Sequence, residues 1–566
     1  MPKQKSGCTK KLILIGLSST ILIAVILALL FKSLVSIDPP KINETIKPVQ
    51  KVVMVDSNTF YVGNNWLKKN KYGLWELYVE GYPYQRGLYS GMLTKNLLEK
   101  QETAFVNQIN TMIPNNFYLF FLKILVAWFN RDLDKYVPLE YQKEIYGISK
   151  SSPHKFDYIA PTYQRLLNYH AAHDIGHALM GMNFVGCTSF SAWDNYTIDS
   201  TIIVGRNFDF YVGDEFAKEK IIEFVNPSNG YKFMMVTWAG MIGVVSGMNE
   251  KGLTITLNAA KSDYPTSAAT PISLVAREIL QYAKNIDEAF EIAKKRKTFV
   301  SESIMIGSKS DNKTIVIEKS PNNIGLYETD SSEIICTNHF QSSTFKDTPL
   351  NLQNIEESAS MYRDKRVKQL LLQKPKLNIN RASEILRDVK GLNGRNIGLG
   401  NEKTINQLIA HHSIIFDPTR LIVWISTSPY QLGSFVAYDL KKIFNNSPKE
   451  NLYEVLRTDS LTIPPDKFLY SKEYREFTIF RKLNHKIQDI INEGKDSSIS
   501  QNQIDTFINS DTEFYKVYRT LGDYFSYKGN SKEAIRYYKI ALGKEIATLN
   551  ERNAIASKIS QLQENE

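Results

Sequence analysis

A chain of 566 residues, 43% hydrophobic and 23% charged, has an ordinary globular composition and enough material for several structural units. Its net charge is +10, but Lys and Arg are spread along the chain and not clustered with aromatic residues, which argues against nucleic-acid binding and for a solvated basic surface. Three cysteines, Cys8, Cys187 and Cys336, are too few for a disulfide framework.

In chain order, residues 12–31 read LILIGLSSTILIAVILALLF, an uncharged run long enough to cross a bilayer as a helix. Lys3, Lys5, Lys10 and Lys11 precede it, so the positive-inside rule predicts a single-pass anchor with a cytoplasmic N-terminus and the remainder in the periplasm or outside. A cleaved signal peptide is the rival, disfavoured by the length of the run and the lack of a small-x-small site after it. Residues 1–36 are therefore read as cytoplasmic stub and membrane anchor. Cys8 precedes the run and is no lipid-attachment cysteine.

Residues 37–186 begin with a polar, proline-bearing linker and, from about Trp66, are expected to be mainly helical. From Cys187 the texture changes to short strand-like runs separated by turns, among them TIIVGRNFDF, KFMMVTWAG, GLTITLNAA, ESIMIGSKSDNKTIVIEKS and RLIVWISTS. Amphipathic helices are predicted near 273–296 and 382–390. Strand hairpins with segregated helices predict a layered α+β domain over 187–445. Residues 446–566 read as helical, and 513–545 resembles one tetratricopeptide unit, which more often packs against its host than binds a protein partner.

Cys187 follows Gly186 directly. It is either a buried structural thiol or a nucleophile that needs a base. His339, His411 and His412 could serve. A second base exists if the bond before Cys187 is cut: the freed α-amine, whose ordinary pKa lies near 8, could take the thiol proton. His170, His173 and His177 share a helix face and could in principle hold zinc, but Asp174 stands where a metalloprotease motif needs glutamate, so no metal is assigned.

Five short segments, GCTSF, GRNFDF, GMNEKGLTITLN, CTNHF and SASMYRDKR, occur in that order and resemble the N-terminal nucleophile cysteine hydrolases. The texture is most similar to the autoproteolytic acyl-coenzyme A:6-aminopenicillanic acid acyltransferase group, related to choloylglycine hydrolase, penicillin V acylase and acid ceramidase. EGYPYQRGLYSG, residues 80–91, resembles the opening of that group's helical pro-segment. The resemblance spans roughly residues 80–430 and implies a four-layer αββα sandwich, with 37–186 becoming the α subunit after cleavage at Gly186–Cys187.

What the resemblance implies for single residues can then be set beside their ordinary roles. Cys187 would be nucleophile for its own release and then for substrate. Arg206 and Asp209 would tune the thiol and orient the new α-amine, where a strand-end ion pair is the plain alternative. The backbone amide of Asn258 and the side-chain amide of Asn338 would face a developing oxyanion; both residues could equally be turn formers. Arg363 would support the site, with Arg366 as the alternative register. His339, Trp238 and Phe208 are candidate substrate contacts, and Phe190 and Phe210 further aromatics of an acyl pocket, although strand aromatics are more often core. Cys336 is read as core packing.

The resulting expectation is a self-activated amidohydrolase or acyltransferase acting on non-peptide amide bonds of small acyl substrates through a thioester, with no cofactor. N-acyl transfer from a thioester to an amine is one alternative. A catalytically silent membrane-anchored scaffold or lipid-binding protein is another, because fold does not guarantee activity.

Overall fold

The computed structural model describes residues 6–44, 50–113, 115–180, 186–261, 268–373, 375–492, 494 and 498–564. Among these, alternating apolar and polar residues build two sheets. The larger holds β1 (Val53–Asp56), β2 (Thr59–Val62), β3 (Asn65–Lys69), β4 (Trp75–Gly81), β7 (Ile221–Pro227), β8 (Phe233–Thr237), β9 (Ser246–Asn249), β10 (Leu253–Ala259), β11 (Glu302–Ser308), β12 (Lys313–Lys319) and β13 (Ile324–Tyr327), neighbours in that order. The smaller runs β14 (Glu333–Cys336), β5 (Thr188–Asp194), β6 (Ser200–Phe208), β15 (His412–Asp417), β16 (Ile422–Ser426) and β17 (Phe435–Asp439). Neighbours are antiparallel except β4 and β7, which run parallel from Trp75 opposite Ile221 to Gly81 opposite Pro227.

Strand periodicity sends alternate side chains to opposite faces, and each face has its own core. Phe224, Met234 and Val316 of the large sheet meet Val204, Ile414 and Val436 of the small one in a shared apolar layer. Ser191 and Thr314 hydrogen-bond across it at 2.7 Å. On its other face the large sheet packs Val79, Val225 and Ile306 against helices that supply Leu98, Ile145, Leu166 and Ile279. The small sheet's outer face, with Phe190, Ile415 and Trp424, is covered by Val367, Ile385 and Leu386. Helix, sheet, sheet and helix thus follow in layers. The mixed α+β class expected from the sequence is present.

Residues 66–81 correct the sequence reading: they form β3 and β4, not helix. Aromatic and β-branched residues in TFYV and WELYV favour strand, and Gly63 and Gly73, at φ +58° and +82°, turn the chain between them. Helix begins only at Pro83–Met112. Within it Gly87 and Gly91 lie on Leu139–Ser149 so closely that a Cβ at Gly87 would fall 1.9 Å from the Glu144 carbonyl oxygen. Arg86 there binds Glu144, which also pairs with Arg277 at 3.3 Å.

The helix Ser6–Val35 contains a largely apolar stretch of 22 residues, Leu14–Val35, whose most apolar window has mean hydropathy 2.7 and is not buried. Membrane anchors and signal sequences both have this form. Beyond the sheets, helices Lys472–Asn492, Gln501–Ser510, Tyr515–Tyr527, Ser531–Leu542 and Leu549–Glu564 close around their own core of Phe480, Phe507, Phe514 and Tyr538. Leu408 and Leu432, from the sheet region, are buried in that core. The helical extension packs on its host.

Candidate active site

Gly186 and Cys187 lead into β5, next to β6. The Gly186 amide donates to the Asp209 carbonyl at 3.0 Å. Its own carbonyl accepts from two side chains, Gln407 Nε2 at 2.7 Å and Arg363 Nη1 at 3.1 Å. A side chain at 186 has no room: a Cβ would stand 2.4 Å from Gln407 Nε2.

The Cys187 thiol is fully buried, and Arg206 Nη2 lies 3.6 Å from its Sγ. β6 presents Arg206 inward, where Nη1 donates to the Val245 carbonyl at 2.9 Å and the guanidinium lies 4.3 Å above the Phe208 ring. Burial pushes the thiol up to about 11, against the downward pull of Arg206 and with Asp209 and Glu302 adding to the rise. The guanidinium does favour thiolate, as the sequence suggests, but desolvation outweighs it.

Asp209 is buried just beyond β6. Desolvation raises its carboxyl to about 7, although Arg363 and Arg206 both pull it down. Oδ1 has no hydrogen-bond partner among the described residues, and Oδ2 lies 3.5 Å from Gln407 Nε2. An unpaired buried carboxylate oxygen is costly unless a donor arrives.

Arg363, on the helix Ser360–Leu371, ties the junction to the rest of the site. Its Nη1 also reaches the Cys187 carbonyl at 2.5 Å and Thr188 Oγ1 at 2.8 Å, and its Nη2 reaches Asn338 Oδ1 at 2.6 Å. Asn338 Nδ2 donates to the Ala259 carbonyl at 2.9 Å, and its backbone amide to Ser360 Oγ at 2.7 Å. Asn258 Nδ2 holds the carbonyls of Cys336 and Thr337 at 2.7 and 3.1 Å, and its Oδ1 accepts from Ser189 Oγ at 2.8 Å. Both asparagines are therefore clips between strands and not simple turn formers. Arg366, the alternative register, forms a bidentate pair with Asp388, away from the junction carbonyls.

The other expected residues are distributed less evenly. His339 is buried with Nδ1 near Thr337 Oγ1 and Ser360 Oγ, and desolvation followed by the Arg363 charge lowers it to about 4. Phe208 stacks on Phe210 with centroids 5.6 Å apart. Phe210 and Trp238 line a pocket with Leu98, Phe105 and Tyr169, so strands and the preceding helices share its wall. Phe190 does not join them: it faces the outer helices, because strand alternation turns it away. Cys336 lies in the core between the sheets. His170 is fixed at both ring nitrogens, Nδ1 by the Leu166 carbonyl and Nε2 by the Ile242 amide. The side chains of His173 and His177 lie outside the described residues.

Sequence reading missed Gln407. It lies in NQLIAHH, a segment with no motif, and reaches Gly186 from 221 residues away. His411 and His412, candidate bases in the sequence, form a buried relay with a residue the sequence did not single out: His411 Nδ1 lies 2.9 Å from His412 Nδ1 and His412 Nε2 lies 2.9 Å from Ser246 Oγ, Ser246 being bound in turn to Arg206. Burial holds both imidazoles neutral, well below their usual range.

Residues 197–428 match the model of the acyl-coenzyme A:6-aminopenicillanic acid acyl-transferase family. That segment, less than half of the chain, is similar to the family. It begins ten residues after Cys187, so the match itself does not reach the Gly-Cys junction. Among individual proteins, the chain is 27% identical over 252 residues to an uncharacterized protein of Archaeoglobus fulgidus, covering 42% of this chain and 41% of that one. It is 22% identical over 274 residues to protein dcd1B of Dictyostelium discoideum, covering 45% and 52%. It is 26% identical over 209 residues to an N-acylethanolamine-hydrolyzing acid amidase of Caenorhabditis elegans, covering 35% and 56%. The chain thus spans about half the length of the curated relatives it matches. Among solved structures, the Caenorhabditis elegans orthologue of that amidase covers 41% of this chain and 93% of its own at 19% identity and TM-score 0.30. A conjugated bile acid hydrolase from Clostridium perfringens covers 50% and 98% at 13% identity and TM-score 0.32.

Proposed function

We propose that the chain cleaves itself between Gly186 and Cys187 and that the product is an N-terminal cysteine amidohydrolase or acyltransferase. The observation that carries this reading is the Gly186 carbonyl, held by two side-chain donors, next to a thiol with a guanidinium 3.6 Å from its sulfur. In the first step the Cys187 sulfur adds to the Gly186 carbonyl carbon. The Gly186–Cys187 C–N bond then breaks, the thiol proton ends on the departing nitrogen, and a thioester forms. Water hydrolyses it, leaving a Gly186 carboxyl, a free thiol and a new α-amine.

That amine is the donor Asp209 Oδ1 is missing, and it supplies the base for the second use of the sulfur. The thiol then attacks a substrate acyl amide, the amine leaving group takes the proton, and water resolves the thioester. An amine in place of water turns hydrolysis into acyl transfer. The name of one relative, an N-acylethanolamine-hydrolyzing acid amidase, favours small N-acyl amides, and the Phe210–Trp238 pocket would suit an apolar acyl chain. In this reading residues 37–186 form the α subunit, 187–445 the catalytic unit and 446–566 an extension, while Leu14–Val35 anchors the precursor with its N-terminus cytoplasmic.

Mass spectrometry of the membrane-expressed protein tests the first step. Wild type should yield two fragments, the second starting at Cys187, and Cys187→Ala should remain one chain. An intact wild-type chain after export would end the proposal in favour of a silent scaffold. Incubating matured protein with an acyl thioester and an amine then separates transfer from hydrolysis.

A further inference from the structure

The nearer donor to the Gly186 carbonyl comes from none of the family-like motifs. Gln407 is 2% exposed, its Nε2 lies 2.7 Å from that oxygen, and a neutral amide can stabilise an oxyanion without surrendering a proton. Gln407 stands in a stretch, residues 397–408, that is neither helix nor strand. Its shape is set by the C-terminal helices. The Leu399 amide donates to Asp511 Oδ2 at 2.6 Å, Asn401 Nδ2 to the Glu545 carbonyl at 2.8 Å, and Lys403 Nζ to Glu545 Oε1 at 2.6 Å. Gly398 lies on the Phe514 backbone, where a Cβ would come within 2.4 Å of its Cα. Leu408, next to Gln407, holds φ at +54°, uncommon for leucine, and is buried in the core of the extension.

We propose that Gln407 is a catalytic residue of Gly186–Cys187 cleavage, donating to the carbonyl oxygen as it becomes an oxyanion, and that the C-terminal extension is a maturation element that positions it. Gln407 forms and breaks no covalent bond. Asp511 acts through it and is a positioning residue. The inference rests on the self-cleavage reading.

The test follows cleavage of full-length chains from the moment of cell-free synthesis into lipid nanodiscs, by gel and mass spectrometry. Gln407→Met keeps the volume but removes the N–H and should slow cleavage about 100-fold, the scale for loss of one oxyanion donor. Gln407→Glu should be slow at neutral pH and gain on wild type toward acid, where the protonated carboxyl donates again; Asp209, 3.5 Å away, and Arg363 on the same carbonyl face both proteins, so the ratio of the two rates at each pH is the readout, and a merely structural glutamine leaves that ratio flat. Asp511→Ala should slow cleavage about tenfold through misplacement, and Asp511→Asn, which keeps an acceptor for Leu399, should recover most of the rate. Thermal melting of each uncleaved precursor against Cys187→Ala separates slow cleavage from misfolding. Gln407→Met cleaving within about threefold of wild type overturns the role of Gln407, against the loss expected for a donor. Asp511→Ala at the wild-type rate overturns the role of the extension. A wild type that never cleaves overturns the cleavage reading itself and this inference with it.

Discussion

Arg363 sets one guanidinium against four acceptors, the carbonyls of Gly186 and Cys187, Thr188 Oγ1 and Asn338 Oδ1. A planar fork can hold both sides of that arrangement, whereas a lysine ammonium is a single point charge. Arg363→Lys should therefore keep the positive charge yet slow cleavage by one to two orders of magnitude, on the scale of a lost oxyanion donor, read as persistence of the precursor band. At position 186 the constraint is steric. Gly186→Ala must displace Gln407 to make room for its Cβ, so it too should accumulate precursor. Cys187, Arg206, Asp209, Asn338 and Arg363 could be singled out in the sequence because each sits in a short motif, and the fold brings Arg206 to the Cys187 sulfur and Arg363 to Asn338 and the Gly186 and Cys187 carbonyls. Gln407 was not legible, since only folding brings a glutamine in a motif-free segment onto the glycine carbonyl.

The elements around the junction decide what happens after a cut. β4 precedes it in sequence and β7 follows it, yet they pair in parallel along their whole length. Leu98 and Leu166, before the junction, share a core with Val225 and Ile306 after it. The two fragments should accordingly co-purify through size exclusion in mild detergent and separate only in denaturant; a catalytic fragment eluting alone would contradict this. At the start of the helix Ser360–Leu371, the Ser360 hydroxyl accepts from the Asn338 amide and lies beside Thr337 and His339. Ser360→Ala strands a buried donor and should cost about 1–3 kcal/mol in denaturant unfolding. Most strands after Cys187 followed from alternation and turn residues. The strands at 65–81 did not, because runs of large mixed side chains fit either period until a neighbour such as β7 supplies the pairing partner.

Across the whole molecule, buried titratable groups give folding a signed pH dependence. Burial raises Asp209 to about 7 and Asp174 and Glu223 to about 8. Their unfolded values lie near 4, so between those limits the folded chain binds more protons and stability falls as pH rises. His170 and His339, lowered to about 4, act oppositely below their unfolded value of about 6.5, where the unfolded chain binds more protons. The two sets oppose one another up to pH about 6.5, and above it only the carboxyls remain. Lys68, Lys220 and Lys319, lowered to about 8, reverse the slope beyond that. The melting temperature of the uncleaved Cys187→Ala protein should therefore fall between pH 6.5 and 8, a window drawn from these shifts, and rise again above it. A flat profile there would mean that the carboxyls are ionised throughout.

Composition and strand alternation were enough to read from the chain alone an apolar N-terminal helix and a layered α+β unit, and five ordered motifs singled out the segments that the fold gathers around Gly186 and Cys187. These are local properties, carried by neighbouring residues. The parallel joining of β4 to β7, the grip of the C-terminal helices on residues 397–408 and the approach of Gln407 to Gly186 were decided only by tertiary structure. Each brings together groups far apart in sequence, and no residue type or spacing encodes which distant partner will fill a given hydrogen bond once the cores have packed.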